Sequence, residues 1–242
     1  MSTNVSLRSP TRRRHKDSAP QSLARVLFSM QTIDGTCVDA DGLKWFNWLY
    51  LQVTQAVANR VASGGFNDPG WLAELDVQFA ELYFNALYAA LNAAACPGSW
   101  KSMFSRRDQA DIARIQFALA GMNAHINHDL PYAIVSTCKA TNTVPRHGTP
   151  HYNDYTALNT TLDGLIDVAK KTLNVRLLGG PLPAVLHLED LIASWDLAGF
   201  REGAWSHAEN IWNDPVLAVA ILEGTIEKVA TFASEALLIP VP

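Results

Sequence analysis

The sequence is poor in the features that define several large classes of protein. Its 242 residues include three cysteines, Cys37, Cys96 and Cys138, which lie far apart and form no C-x-x-C pair. A sparse and odd number of cysteines argues against a disulfide scaffold or a zinc ribbon and favours reduced thiols, so we expect a cytoplasmic protein. No apolar stretch approaches the roughly 20 residues that span a bilayer, and we therefore expect no membrane partner.

Neither positive nor negative charge is in large excess. The net charge is -4 and the pI is about 5.9, so the chain has no overall attraction for nucleic acid or for an anionic membrane. The one basic run, RSPTRRRHKD, lies near the start and contains almost no apolar residue. No signal-type apolar segment follows it, so secretion is not predicted. We interpret residues 1–20 as a disordered basic tail and residues 21–242 as a single helical domain.

The alternation of apolar and polar residues that is typical of strands is nearly absent. The chain instead shows successive patterns with a period of 3.6 residues, separated by short breaks rich in Gly, Pro, Asn and Asp. Proline stands at three of the expected helix starts, where its missing N–H is not needed: Pro69, Pro183 and Pro215. The sequence therefore predicts an all-α fold, a single multi-helix, bundle-like domain. The predicted helices are 22–33, 41–63, 69–95, 106–138, 152–175, 183–197, 199–213 and 215–238.

The stretch GMNAHINHDLPYA, residues 121–133, places two histidines and an aspartate close together at the end of a predicted amphipathic helix. His125 and Asp129 are four residues apart, so their side chains can meet on a helix. His125 and His128 are three residues apart and can reach a common point. Three such residues at helical spacing, beside an apolar stripe, indicate a functional site more strongly than a polar helix end.

Other predicted helices also turn polar residues towards their apolar sides. Asp76 lies on the apolar side of the 69–95 helix, and His207 lies on the line of Phe200, Ala204 and Ile211. Asp154 stands at a helix start, where the helix dipole by itself favours an acid. Since an unpaired buried carboxylate is costly, these residues predict one shared polar cavity inside the bundle.

Motifs of well-known helical enzymes are missing. There is no paired E-x-x-H, no D-D-x-x-D and no H-E-x-x-H, and P-loop, G-x-G-x-x-G and G-x-S-x-G motifs are also missing. His128 and Asp129 match the dyad of the helical HD-type phosphohydrolases. Those enzymes also need an upstream histidine, and the candidate before His125 is His15, in the predicted tail.

Three stretches carry a resemblance to a known family: FALAGMNAHINHDLPYA, HYNDYTALNTTLDGL and FREGAWSHAENIW. They resemble a bacterial and fungal family of unknown function, DUF5995, and the resemblance runs from about residue 25 to 235. It implies a helical fold and supplies no mechanism.

The leading functional hypothesis is a metal-dependent hydrolase or lyase that acts on a small organic substrate within the cavity. His125 and His128 would bind the metal, and Asp129 would bind it too or orient His125. Imidazole and carboxylate ligands suit Zn²⁺ or Fe²⁺, either of which can activate a water molecule. The remaining predicted ligands are His207, Asp76 and either Asp154 or His151.

Two further hypotheses use the same residues without a metal. In one, His125 oriented by Asp129 is a general base, and Asp76 or His207 is the opposing acid. Such an enzyme would cyclise or isomerise a hydrophobic, terpenoid-like or polyketide-like molecule. In the other, the protein is a non-catalytic ligand-binding helical protein whose polar interior is a hydrogen-bond network.

Overall fold

The computed structural model describes residues 22–173 and 195–240, and these residues form ten α-helices, one π-helical segment and no strand. The prediction of an all-α fold is confirmed. The predicted tail over residues 1–20, Pro183 and most of the predicted helix over 183–197 lie outside the described residues. The helices, in chain order, are α1 (Leu23–Thr36), α2 (Gly42–Ala62), α3 (Pro69–Leu91), α4 (Gly98–Phe104), α5 (Arg114–Asn123), the π segment (Ala124–Asp129), α6 (Leu130–Thr141), α7 (Pro150–Ala157), α8 (Asn159–Leu173), α9 (Leu197–Asn213) and α10 (Pro215–Leu237).

Four of the ten helix starts follow from a side-chain cap. A side-chain oxygen at the N-cap accepts a backbone N–H of the first turn, which satisfies a donor that the helix itself leaves unpaired. Proline follows the cap directly in α3 and α7, where its missing N–H is not needed. The capping residues are Asp41 for α2, Asp68 for α3, Thr149 for α7 and Asp196 for α9.

The prediction of one helix over residues 106–138 is wrong. The helix begins only at Arg114, where the Gln116 side chain accepts the backbone N–H of Ala113 at 2.9 Å, and a separate short helix, α4, precedes it. The helix then passes through the π segment into α6. The predicted helix over 152–175 is likewise two helices, because α7 ends at Ala157 and α8 begins at Asn159.

The π segment has a local cause in Pro131. Proline donates no backbone N–H, and its ring crowds the carbonyl four residues earlier. Just before it, the N–H of Leu130 bonds to the carbonyl of His125, five residues back, instead of to the residue four back. This wider turn carries the helix past the proline without ending it.

The π segment lies at the centre of the helical packing. It contacts α3, α4, α9 and α10 in addition to the helices that it joins. On one side lies an aromatic cluster of Phe46 and Tyr50 from α2, Tyr83 from α3 and Trp100 from α4, all of them buried. The Phe46 ring meets those of Tyr83 and Trp100 edge-on, with centroids 5.0 and 5.2 Å away. No helix in the described part of the chain is both long and apolar enough to cross a membrane.

The contact between α2 and α5 gives a direct test of this packing. A Cβ added at Gly121 would overlap the ring of the buried Phe46, whereas a Cβ added at Gly164 on α8 would meet no atom within 4 Å. We expect Gly121→Ala to lower the free energy of unfolding by about 1–3 kcal/mol, because overpacking outweighs the better helix propensity of alanine. Gly164→Ala should instead raise it by about 0.5–1 kcal/mol. Urea unfolding of both variants checks this, and equal effects would contradict the packing of α5 on α2.

Candidate functional site

The Asp129 carboxylate lies in the core and is surrounded by three N–H groups. Its Oδ2 accepts a hydrogen bond from Nε1 of Trp100 at 2.9 Å and contacts Nδ1 of His125 at 2.9 Å. Its Oδ1 contacts Nδ1 of His128 at 2.7 Å. Asp129 is 2% exposed, so these three groups replace the water that a carboxylate needs.

The protonation of this cluster follows from the balance between burial and hydrogen bonding. Burial by itself raises the pKa of Asp129, but its hydrogen bonds to His125 and His128 outweigh that effect and hold the pKa below its usual value. The carboxylate is therefore ionised and can only accept hydrogen bonds, so both histidines carry a proton on Nδ1. Burial lowers the pKa of His125 despite the opposing effect of Asp129. His125 is thus a neutral imidazole whose Nε2 is basic.

The three side chains all belong to the π segment, where both imidazoles reach the same carboxylate.

Aromatic rings enclose the imidazole of His125, which is 1% exposed. The Phe79 ring stacks parallel on it with centroids 3.4 Å apart, and the Tyr50 ring meets it edge-on at 4.5 Å. Its Nε2 has no hydrogen-bond partner among the residues that the structure describes. A basic nitrogen left without a partner in such surroundings costs stability.

A small cavity of about 40 Å³ lies beside this aromatic enclosure, between α2 and α3. Phe79 and Tyr50 both line it, so they separate it from His125. The cavity has room for about three water molecules, or for a group of similar size. Its lining is formed by Tyr50, Val53, Val57, Leu72, Leu75, Asp76, Phe79, Leu130, Leu158 and Arg201.

Asp76 is a buried carboxyl on the wall of this cavity. It is 7% exposed, and its Oδ2 has no hydrogen-bond partner among the described residues. Burial raises its pKa to about 7. A carboxyl group with a pKa near neutrality can both donate and accept a proton at physiological pH.

Tyr50 contributes the second polar group of the cavity. Its hydroxyl is buried and has no hydrogen-bond partner of good geometry in the described part of the chain. Burial, reinforced by the negative charges of Asp76 and Asp129, raises the pKa of this phenol well above its usual value. Tyr50 therefore stays protonated and can act as a hydrogen-bond donor.

Arg201 supplies the third polar group, and it was not among the residues that the sequence predicted for the site. Its Nε donates to Oδ1 of Asn159 and its Nη2 to the carbonyl of Tyr155, both at 2.7 Å. A signal for it was present, since Arg201 is in helical register with Ala204, Trp205 and Ala208, which are all buried. Trp100, Tyr50 and Phe79 were also missed, because nothing local in the sequence links them to His125.

The other residues assigned to the site lie apart from the Asp129 cluster. Asp154 accepts the backbone N–H and side-chain amide of Asn67, both at 2.8 Å, and the backbone N–H of Asp68 at 2.7 Å, so it fixes the loop before α3. His207 is half-buried on α9, where burial lowers its pKa. Within residues 22–173 and 195–240, no three His, Cys, Asp or Glu side chains are grouped so that they could hold a metal ion.

These features define an all-α protein with a buried carboxylate–histidine cluster next to a small polar cavity. The chain belongs to the family of unknown function DUF5995, whose model matches residues 23–240. No curated protein and no solved structure matches the chain.

The charge of Asp129 can be tested by an isosteric change. Asp129→Asn places an NH₂ group where one of the three N–H donors needs an acceptor, so we expect the free energy of unfolding to fall by about 3 kcal/mol. Glu202→Gln is the matched control, since Glu202 accepts from the half-exposed His147 at 2.7 Å and should change stability by less than about 1 kcal/mol. Chemical denaturation measures both, and a small effect at Asp129 would contradict a buried, ionised carboxylate.

Asp76 predicts an unusual dependence of stability on pH. Its pKa is about 7 in the folded protein and 3.8 when exposed, so the unfolded chain loses this proton first. Asp76 therefore lowers stability progressively as the pH rises from about 4 to 7, by up to about 4 kcal/mol. We expect Asp76→Asn to be more stable than the wild type at pH 8, with a gain that shrinks towards pH 4. Asp111→Asn, at an exposed position, should show no such trend in thermal unfolding.

Proposed function

We propose that the protein is a metal-independent acid–base enzyme that acts on a small organic molecule, with Asp76 exchanging the proton with the substrate. The observation that carries the proposal is Asp76, a residue that lines the cavity and whose buried carboxyl has one oxygen without a hydrogen-bond partner in the described part of the chain. Nothing within the described fold compensates for burying it. A substrate in the cavity would provide the missing partner.

The groups around Asp76 support this assignment. Tyr50 on the same cavity wall remains protonated and can donate a hydrogen bond to a substrate oxygen. The pKa of Asp76, at about 7, allows it to take a proton from carbon and return it at another position. We therefore favour an isomerisation or an elimination, in which no water need be activated.

The His125–Asp129 pair has a different role in this proposal from the one that the sequence predicted. Its imidazole does not line the cavity and is covered by the rings of Phe79 and Tyr50. We assign it the positioning of those two rings, with Asp129 fixing its tautomer and orientation. Asp76, which does line the cavity, is the better candidate for direct contact with a substrate.

The size of the cavity limits the substrate. A volume of about 40 Å³ accepts a few non-hydrogen atoms and is far below the roughly 300 Å³ or more of a site for a drug-sized ligand. The proposal is therefore a small metabolite, or the polar end of a larger one, and not the enclosed cyclisation of a terpenoid. We place the enzyme in the cytoplasm, in keeping with its three free cysteines.

The metal-dependent hydrolase or lyase remains the rival hypothesis. A carboxylate that orients histidines through Nδ1 leaves Nε2 for a ligand, an arrangement that is also typical of metal sites. His125 and His128 share this feature through Asp129. A Zn²⁺ or Fe²⁺ ion would need further ligands, and the test below distinguishes the two hypotheses.

An untargeted search can identify the substrate. Purified protein would be incubated with a small-molecule extract, with and without a chelator, and the extract followed by mass spectrometry. We expect the wild type to convert at least one small molecule in the presence of the chelator. Asp76→Asn should reduce the rate by about 100-fold or more, because it removes the proton-transfer group and keeps the shape. Asp111→Asn, also a loss of one carboxylate, should leave the rate unchanged.

Each other outcome favours a different function. Conversion that survives in Asp76→Asn would remove Asp76 from the mechanism. Conversion abolished by the chelator and restored by Zn²⁺ or Fe²⁺ would support the metal-dependent hypothesis. A wild type that converts nothing but retains a small molecule through purification would support the non-catalytic ligand-binding protein.

A further inference from the structure

Arg201, one of the residues that line the cavity, is buried, and the described residues leave it without an ion pair. Arg201 is 6% exposed, and none of the ion pairs among the side chains that the structure describes involves its guanidinium. Its two hydrogen-bond acceptors, the Asn159 amide and the Tyr155 carbonyl, are both neutral. Arginine is seldom buried without an anionic partner, because removing the charge from water is costly.

The guanidinium also has N–H donors that no described residue accepts. Arginine carries five N–H donors, and the hydrogen bonds to Asn159 and Tyr155 use one on Nε and one on Nη2. The ring of Tyr155 covers one face of the group, with its centroid 4.0 Å away. Asp163 on α8 acts on Arg201 electrostatically, but its own side chain is exposed and lies beyond ion-pair distance.

We propose that the cavity binds the carboxylate of a small organic acid, with Arg201 as its cationic partner and the Tyr50 hydroxyl as a second donor. The planar guanidinium matches a carboxylate in shape and charge. The aliphatic side chains of Val53, Val57 and Leu72 would surround the carbon atoms. The inference names the substrate class for the site proposed above, and it rests on that proposal only for the statement that the bound acid reacts.

The size and charge of the cavity define the class further. A volume of about 40 Å³ fits a carboxylate with one or two attached carbon atoms, as in acetate or glycolate. A single cation balances one negative charge, so a second negative charge would be buried in the cavity without a partner. The site should therefore select monocarboxylates over inorganic phosphate.

Arg201 has a structural task as well, and the test must separate the two. Through Tyr155 and Asn159 it ties α9 to the end of α7 and the start of α8. Arg60 offers a matched control, since its Nη1 donates to the carbonyl of Ala157 at 2.8 Å, at the same end of α7, and it does not line the cavity.

The experiment is an NMR titration of ¹⁵N-labelled protein with sodium acetate at constant ionic strength. We expect saturable shifts that include the Arg201 Nε–H signal, and no saturable shift with acetamide, which has the same shape without the charge. Arg201→Gln should weaken acetate binding at least about tenfold, the loss expected for a charged hydrogen bond. Arg60→Gln should bind acetate as the wild type does.

A second pair of variants keeps the test valid if Arg201→Gln unfolds. Val57→Leu fills part of the cavity and leaves the Arg201 side chain itself unchanged, and should weaken acetate binding. Val77→Leu makes the same change at a buried position on α3 outside the cavity, and should not. Binding that is equal in wild type and Val57→Leu, equal affinity for acetate and acetamide, or tighter binding of phosphate than of acetate would each overturn the inference.

The binding test and the enzyme test can fail independently of each other. Asp76→Asn should still bind acetate, because the amide mimics the protonated carboxyl, while it loses turnover. Acetate binding without any turnover would contradict the proposed enzyme and leave the carboxylate site intact. Turnover that depends on Asp76 in a protein that does not bind acetate would support the proposed enzyme and contradict the carboxylate site.

Discussion

The buried charge of Asp129 is the constraint on which the centre of this molecule depends. An ionised carboxylate in the core is tolerated only when donors surround it, and here they come from α4 and the π segment. The hydrogen bonds to Asp129 fix the positions of the Trp100, His125 and His128 side chains. His125 in turn packs against Phe79 and Tyr50, and thereby defines one side of the cavity. The position of the cavity wall thus follows from the hydrogen bonding of one carboxylate.

Two kinds of buried polar group occur in the same core. Gln116 and Asn123 are satisfied, since their amides donate to the carbonyls of Leu237 and Ala230 on α10. Asp76 and the Nε2 of His125 have no partner among the described residues. The satisfied amides join helices and stabilise the fold, whereas the polar atoms without a partner lower its stability. That the second kind occurs at and beside a cavity is what motivates a functional site there.

The two proposals assign a separate role to each polar group of the cavity. Arg201 would bind and neutralise an acid, and Tyr50 would donate a hydrogen bond to it. Asp76 would then exchange a proton on a neighbouring atom, and its burial keeps it protonated enough to avoid repelling the bound anion. A cation without an ion pair among the described residues, on the same cavity wall as a largely neutral carboxyl, suits a monoanion.

The sequence by itself determined that the fold is helical and, for several helices, which side faces inward, because a period of 3.6 residues fixes angles around a helix without any tertiary information. It therefore predicted that Asp76, His125 and Asp129 face the core, and all three are buried. It did not predict the π turn, which shifts that period beside Pro131, nor Trp100, 29 residues from its partner Asp129. Asp154 fixes a loop that lies 86 and 87 residues earlier in the chain, and a local pattern could not predict that contact either. Which inward-facing groups meet depends on how helices pack, and only the tertiary structure decided that Arg201, rather than His207, lines the cavity with Asp76.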